Sequence, residues 1–374
     1  MALYLGLPKR RTRADSVAGS LPPAPVDRNT VPAAGLVDRY GRRATDLRVS
    51  LIDKCNLRCT YCMPAEGLPW LPKQAVMSAE EVLRIVRLGV DILGVREVRL
   101  TGGEPLVRAD LLEIIEIIRT AFPTLPISMT TNAVGLEEKA EGLKSAGLTR
   151  INVSLDSLHE ETFRALTRRP FLGQVLAGVE AAAAAGLGPI KINAVLMRGI
   201  NDVESPGLLA WALERGFELR FIEQMPLDAD HGWTRREMIT ASEIRELLSM
   251  EYVLTPDPRA RDGAPAERFE VKARLPGNGP VLGSVGIIAS VTEPFCRDCR
   301  RTRITAEGRV MSCLFSREDV DLLGPLRDGA SDELLGRLWQ EAMWVKPRAH
   351  GMDHAGLDTP QFVQPDRNMS AIGG

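Results

Sequence analysis

Polar and apolar residues alternate along Asp-Leu-Arg-Val-Ser-Leu-Ile, positions 46–52, the period-two signature of a strand with one buried face. From Ser78 to Leu93 the period lengthens. Val82, Ile85, Val86 and Leu93 share one face, and Ser78 with Glu81 has the pattern of a capping box, so a helix is predicted there. The two patterns then keep exchanging. Positions 95–100 read as a strand, 109–121 as an Ile/Leu-striped helix, 127–131 as a strand and 136–146 as a helix. Positions 151–155 read as a strand and the Ala-rich 175–185 as a helix; strands at 190–196 and 217–222 enclose a helix near 208–214. Strand units alternating with helices predict a parallel sheet. Their repetition over roughly 200 residues predicts an α/β barrel or partial barrel, with active groups on the loops after the strands' C-terminal ends.

Composition narrows the class without changing that picture. The chain has 374 residues, 44% hydrophobic and 26% charged, which excludes a fully disordered protein and allows a sizeable core. A formal net charge of −2 gives no global attraction to nucleic acid or to an acidic membrane, leaving only local basic patches. No run of eighteen apolar residues is present, so no membrane-spanning helix is expected. At the N-terminus the basic Lys9, Arg10, Arg11 and Arg13 follow the short apolar stretch instead of preceding it, unlike a secretory signal. Asp15 and Asp27 speak against an organellar transit peptide. Residues 1–37 are rich in Pro, Ala and Arg without periodicity and read as a disordered extension. The expected compartment is the cytoplasm.

The six cysteines form two triplets with none left over: Cys55-x3-Cys59-x2-Cys62 and Cys296-x2-Cys299-x13-Cys313. In a long cytosolic chain such groups bind metal more often than they form disulfides. A closed zinc site needs four ligands, and His159, His231, His350 and His354 all lie away from both triplets. Three thiolates with one open position suit a cubane iron–sulfur cluster whose fourth iron can bind a ligand directly. For the second triplet taken alone, zinc stays a rival. The first triplet follows the first predicted strand; Thr101-Gly102-Gly103-Glu104-Pro105 follows the second, Thr130-Thr131-Asn132 ends the third, and Ser154 with Asp156 ends the fourth. Each is a weak sign by itself, and their shared position beside a three-Cys loop strengthens them.

The first triplet with Tyr61, together with Gly102-Gly103-Glu104-Pro105, resembles the radical S-adenosylmethionine superfamily. Further stretches narrow the resemblance to its GTP 3′,8-cyclase family, the lyases that open molybdenum cofactor (molybdopterin) biosynthesis. They are Asp46–Ser50, Arg99–Leu106, Arg150–Asp156, Arg220–Glu223, the second triplet, and the tail Ser370-Ala371-Ile372-Gly373-Gly374. Ala133 departs from that family's usual Gly after Asn132, a strain only if the position needs positive φ.

The resemblance implies a partial (β/α)6 barrel over residues 38–265. Residues 266–374 would form a C-terminal domain with a second cluster and the Gly-Gly tail. It implies two [4Fe-4S] clusters, on Cys55, Cys59 and Cys62 and on Cys296, Cys299 and Cys313, the first chelating S-adenosylmethionine. Tyr61, Gly103, Ser154 and Met225 match that family's S-adenosylmethionine contacts, and Arg48, Arg99, Thr130, Lys191, Arg301 and Arg303 its GTP contacts. Gly373 and Gly374 would thread into the active site. Implied partners are a flavodoxin- or ferredoxin-type reductant and, through the product, cyclic pyranopterin monophosphate synthase; the chain would be a monomer or homodimer, without nucleic acid or membrane.

Elementary chemistry agrees with the substrate half of this picture. If residues 301–304 are extended, Arg301 and Arg303 point to one side, and paired guanidiniums suit a triphosphate. A hairpin predicted at Glu307-Gly308 would return Cys313 to the other two thiols. No G-x-x-x-x-G-K-[ST] loop exists, so GTP would be held otherwise than in P-loop GTPases. Two other readings compete: a radical S-adenosylmethionine peptide-modifying enzyme with an auxiliary cluster, and a zinc-stabilised nucleic-acid-binding protein. The first would tend to need more cysteines than remain.

Overall fold

Alternation in the strands decides the architecture, because it gives the sheet one apolar and one polar face. In the computed structural model, which describes residues 34–275, 279–349, 364 and 369–372, the strands form a single twelve-stranded sheet. Strands β1 (Asp46–Ser50), β2 (Glu97–Thr101), β3 (Ile127–Thr131), β4 (Arg150–Ser154), β5 (Lys191–Leu196) and β6 (Glu218–Glu223) lie side by side and parallel. Between them run α1 (Ala79–Arg87), α2 (Leu111–Ala121), α3 (Ala140–Ala146), α4 (Glu160–Thr167), α5 (Leu172–Ala184) and α6 (Ser205–Glu214). This is the expected α/β partial barrel.

The helix-facing positions are apolar. Leu47, Val49, Val98, Leu100, Ile127, Met129, Ile151, Val153, Ile192, Ala194, Leu219 and Phe221 are all 0% exposed. Each large side chain buried this way contributes about 1.5–3 kcal/mol. The opposite positions are Asp46, Arg48, Arg99, Ser128, Asn152, Asn193 and Arg220. A parallel sheet covered on both faces reads as a continuous apolar run, so this alternation marks a sheet whose inner face lines a polar cavity.

The C-terminal part of the chain extends both edges of the sheet. After α7 (Ala241–Ser249), strands β7 (Tyr252–Pro256), β8 (Glu267–Ala273) and β9 (Val281–Ile288) form an antiparallel meander, and β9 runs parallel to β6. Strand β10 (Arg301–Ile304) returns to the other edge and runs parallel to β1. The expected hairpin is present. It joins β10 to β11 (Arg309–Met311) through Gly308 at φ 69°, and β12 (Val320–Asp321) follows, then α8 (Leu323–Arg327), α9 (Asp332–Trp344) and the short α10 (Met369–Ile372).

Several boundaries differ from the sequence reading for identifiable reasons. The Ser78–Glu81 capping box forms in both directions, but the α-helix ends at Arg87 and continues as one π turn over Leu88–Ile92. The helix predicted from Leu136 begins at Ala140, because Leu136 and Lys139 are held in turns by the carbonyls of Ala133 and Leu136. Helix α4 was not predicted. Order also begins before residue 38: Leu36 is 1% exposed and Val37 bridges Arg43, so these two belong to the packed protein. The rest of the expected extension, residues 1–33, lies outside the described residues.

Candidate active site

The first cysteine triplet stands at the C-terminal end of the parallel strands, where a barrel's loops gather, while Cys299 and Cys313 lie at the opposite, N-terminal end of β1 and its parallel neighbour β10. The Cys55–Cys62 loop leaves β1 and is pinned from below by backbone bonds from Arg58 to Thr167 and from Thr60 to Leu166 (3.0 and 2.9 Å). The Arg168 guanidinium, just after α4, donates to the carbonyls of Arg58 and Met63 (3.1 and 2.8 Å), so the unpredicted helix serves to seat this loop. The glycine loop after β2 closes against it: Gly103 N–H donates to Ile52 and Glu104 N–H to Lys54 (2.7 and 2.8 Å). All three thiols line one cavity with Gly103, Asn132, Ser154 and Asp156.

Two buried carboxylates flank this triplet. Glu104 accepts from the N–H groups of Leu106 and Asn132 and from the Thr131 hydroxyl, yet burial still raises it to about 7. Asp156 accepts from Tyr61 Oη at 2.6 Å and from Val195 N–H at 2.8 Å, and burial raises it to about 6. Burial, with Glu104 nearby, pushes the Cys55 thiol up to about 11; Asn132 Nδ2 lies 3.7 Å from its sulfur. Ala133 takes φ 63°, so the position does require positive φ and alanine carries the strain there.

The second triplet sits across the cavity. Cys296 lies in the loop after β9, Cys299 just before β10, and Cys313 just after β11. That loop is tied to the barrel by Glu223 at the end of β6, whose buried carboxylate accepts from the N–H groups of Ala241, Val291 and Thr292 (2.8, 2.7 and 2.9 Å). Burial opposes ionisation of Cys299, but Arg301 and Lys346 draw its thiol down to about 5. The two triplets therefore differ in electrostatic surroundings, acidic at the first and basic at the second.

Between them the sheet carries a band of arginines. Arg303, Arg48 and Arg99 are register partners on the adjacent strands β10, β1 and β2, so their side chains leave the same face. Burial disfavours the charge of Asp46, but Arg48, Arg99, Arg301 and Arg303 together hold it below the usual range. Arg48 is pulled well down by burial and then by Arg303 and Arg99, and its Nε has no hydrogen-bond partner among the described residues. Burial and Arg301 bring Arg303 down to about 10. Arg301 stacks on Phe295, 4.8 Å from ring centre. Guanidiniums crowded in this way favour an anionic ligand with several oxygens.

Arg48, Arg99, Thr130, Arg301 and Arg303, along with Tyr61, Ser154, Met225 and the second triplet, all line one cavity. Tyr61, Thr130, Ser154, Asp156 and Met369 border both this cavity and that of the first triplet. Lys191 stands apart: its ammonium pairs with Glu218 at 3.1 Å, and burial followed by Arg220 lowers it to about 8. Gly373 and Gly374 lie outside the described residues, while Ile372 is buried and the Met369 N–H donates to Leu227 (3.2 Å). Three charged lining residues are not legible in the sequence as site groups: Arg220, Arg42 and Lys346. Arg220 was visible in its strand's alternation. Arg42 and Lys346 carried no local signal, since each reaches the site from a distant segment.

No disulfide joins any of the six cysteines. Among the described residues no group of three or more His, Cys, Asp or Glu is arranged for a single metal ion. The donor chemistry of three thiols around one cavity fits the larger cubane cluster at either triplet.

Comparison with known proteins agrees with this geometry. Residues 49–212 match the radical SAM superfamily and residues 217–352 match Molybdenum Cofactor Synthesis C. The chain is 76% identical over 354 residues to the GTP 3′,8-cyclase of Paenarthrobacter nicotinovorans, covering 94% of this chain and 100% of that protein. It is 54% identical to the GTP 3′,8-cyclase of Streptomyces coelicolor (91% and 96% covered) and 52% identical to that of Mycolicibacterium smegmatis (99% and 99% covered). With two cysteine triplets facing one arginine-lined cavity on a parallel sheet, and with relatives of this identity over nearly its whole length, the chain belongs to the GTP 3′,8-cyclase family of radical S-adenosylmethionine enzymes.

Proposed function

We propose that the polar face of the sheet binds GTP while the Cys55–Cys62 loop holds the cluster that binds S-adenosylmethionine. On this reading the chain converts GTP to (8S)-3′,8-cyclo-7,8-dihydroguanosine 5′-triphosphate, the first step of molybdopterin synthesis. The observation that carries it is the in-register band Arg303–Arg48–Arg99 lying between the two triplets. When bound, the first cluster and S-adenosylmethionine supply one-electron cleavage that yields a 5′-deoxyadenosyl radical.

The protein's own residues bind, orient and exclude water. Cys55, Cys59 and Cys62 hold the first cluster and Cys296, Cys299 and Cys313 the second. Tyr61, Gly103, Ser154 and Met225 border S-adenosylmethionine, and the Tyr61–Asp156 hydrogen bond keeps that wall rigid. Arg48, Arg99, Arg301 and Arg303, with Thr130 and Arg220, bind the triphosphate; Lys191 contributes from its place beside Glu218. Holding the ribose in an attack geometry replaces an entropic barrier that costs several kcal/mol in free solution, about 7–11 kcal/mol at best. Gly373 and Gly374 take the catalytic role that the family resemblance implies; they lie outside the described residues, and of the described tail Ile372 is buried and Met369 lines the cavity.

The reductant is of flavodoxin or ferredoxin type, the next enzyme is cyclic pyranopterin monophosphate synthase, and the setting is the cytoplasm; no helix among the described residues is long and apolar enough to cross a membrane. Residues 38–265 act as the barrel and 266–374 as the part that supplies the second cluster.

The test is anaerobic cluster loading followed by incubation with GTP, S-adenosylmethionine and dithionite. Cyclised nucleotide should form from the unaltered protein. Cys55→Ala should abolish 5′-deoxyadenosine, whereas Cys313→Ala should spare some of it while stopping GTP conversion. Stoichiometric zinc in place of iron, or no nucleotide product, overturns the reading.

A further inference from the structure

We propose that Lys346 is a positioning residue that sets the reduction potential of the cluster on Cys296, Cys299 and Cys313 through a hydrogen bond from its ammonium to Cys299 Sγ. The inference rests on the reading that this triplet holds a cluster.

Lys346 follows α9 and is only 3% exposed. A buried ammonium is costly unless its donors are used. Here Nζ donates to Cys299 Sγ at 3.4 Å and to the Arg301 carbonyl at 2.7 Å, and neither acceptor is a carboxylate. The positive charge is therefore directed at the sulfur. Its position is also fixed from behind. Arg42 donates to the carbonyls of Pro347 (2.6 Å) and Arg348 (3.0 Å), and the same guanidinium donates to the Cys296 carbonyl at 2.9 Å. One buried arginine thus locks the lysine's backbone to the loop that carries the triplet.

Reduction adds one electron to a cluster and neither forms nor breaks a bond, so the added charge is stabilised by nearby cations and by donors to the sulfurs. Burial of the pair away from water strengthens both effects. At the first triplet the buried charged neighbours include the carboxylates Glu104 and Asp156, which oppose added negative charge. Lys346, together with the Arg301 guanidinium beside the same sulfur, makes the second site the easier one to reduce.

The experiment is a dithionite titration of the anaerobically loaded full chain, followed by electron paramagnetic resonance, with the second cluster's signal assigned by its loss in Cys313→Ala. Lys346→Met should shift the second cluster's reduction equilibrium about tenfold toward the oxidised form, about 59 mV for one electron, and leave the first unchanged. Lys346→Arg should stay near the unaltered protein. An unshifted midpoint in Lys346→Met, equal shifts in both clusters, or an Arg variant shifted as far as the Met variant would overturn the proposal. If Lys346→Met loads no second cluster, Lys346→Gln against Lys346→Arg decides: a lower midpoint in Gln upholds it and equal midpoints overturn it. Loss of the cluster in all three variants overturns it as well, because the lysine then serves assembly. Absence of a second cluster from the unaltered protein would instead overturn the underlying functional reading.

Discussion

Replacing Gly103 by alanine is expected to damage the first cysteine loop. An added Cβ would sit 2.6 Å from the Lys54 carbonyl carbon and closer still to the carbonyl oxygens of Asp53 and Lys54. Ordinary carbon contacts are about 3.5–4.0 Å, so backbone must separate by about 1 Å. The atoms in the way are main chain, which cannot swing aside as a long side chain can. Overpacking of this kind costs about 1–3 kcal/mol. Separation also weakens the bonds from Gly103 to Ile52 and from Glu104 to Lys54, each worth about 1 kcal/mol. A total loss of about 2–4 kcal/mol follows, centred on the residues that precede Cys55. Misplacement of about 1 Å at a reacting centre can cost about a hundredfold in rate. The assay is urea unfolding together with iron content and 5′-deoxyadenosine yield, with Gly94→Ala as control. Gly94 has positive φ but nothing within 4 Å of an added Cβ, so its variant should lose some stability and keep its clusters. Unaltered stability and full iron in Gly103→Ala would refute the reasoning.

Three further outcomes are expected. GTP affinity should fall as pH rises through about 8, because burial and Arg220 hold the Lys191 ammonium near that value and only its protonated form attracts phosphate; calorimetry over pH should show the fall, and Lys191→Arg should flatten it. Ending the chain at Ile372 should abolish cyclisation while stability changes by less than about 0.5 kcal/mol, the surface scale, read as product yield beside a melting curve. Ala133→Gly should be close to neutral, within about 1 kcal/mol: relief of a left-handed alanine, about 1–2 kcal/mol, is offset by one lost buried methyl and a more flexible unfolded chain. A loss above about 3 kcal/mol in urea unfolding would show that the methyl matters more than the strain.

Much of the fold could be read along the chain, because periodicity reports which face of an element is buried. The six parallel strands, the Ser78 capping box and the Gly308 hairpin each leave their mark within a few residues. Helix α4 did not, and its function of seating the cysteine loop through Arg168 lies in contacts with Arg58 and Met63, over a hundred positions away. The triplets' spacing points to a cluster at the first and leaves zinc a rival at the second. Their opposite surroundings could not be read that way: Glu104 and Asp156 reach the first triplet from other strand ends, and Lys346 reaches Cys299 from beyond α9. The band of Arg303, Arg48 and Arg99 is the clearest case. The resemblance marked each arginine singly, but alternation makes each only a polar position in its own strand, and β10 lies some 250 positions after β1. Local pattern governs which residues can share a face, since backbone geometry repeats every two or 3.6 residues. Only strand order and register bring three such faces into line, and charge crowding exists only once they do.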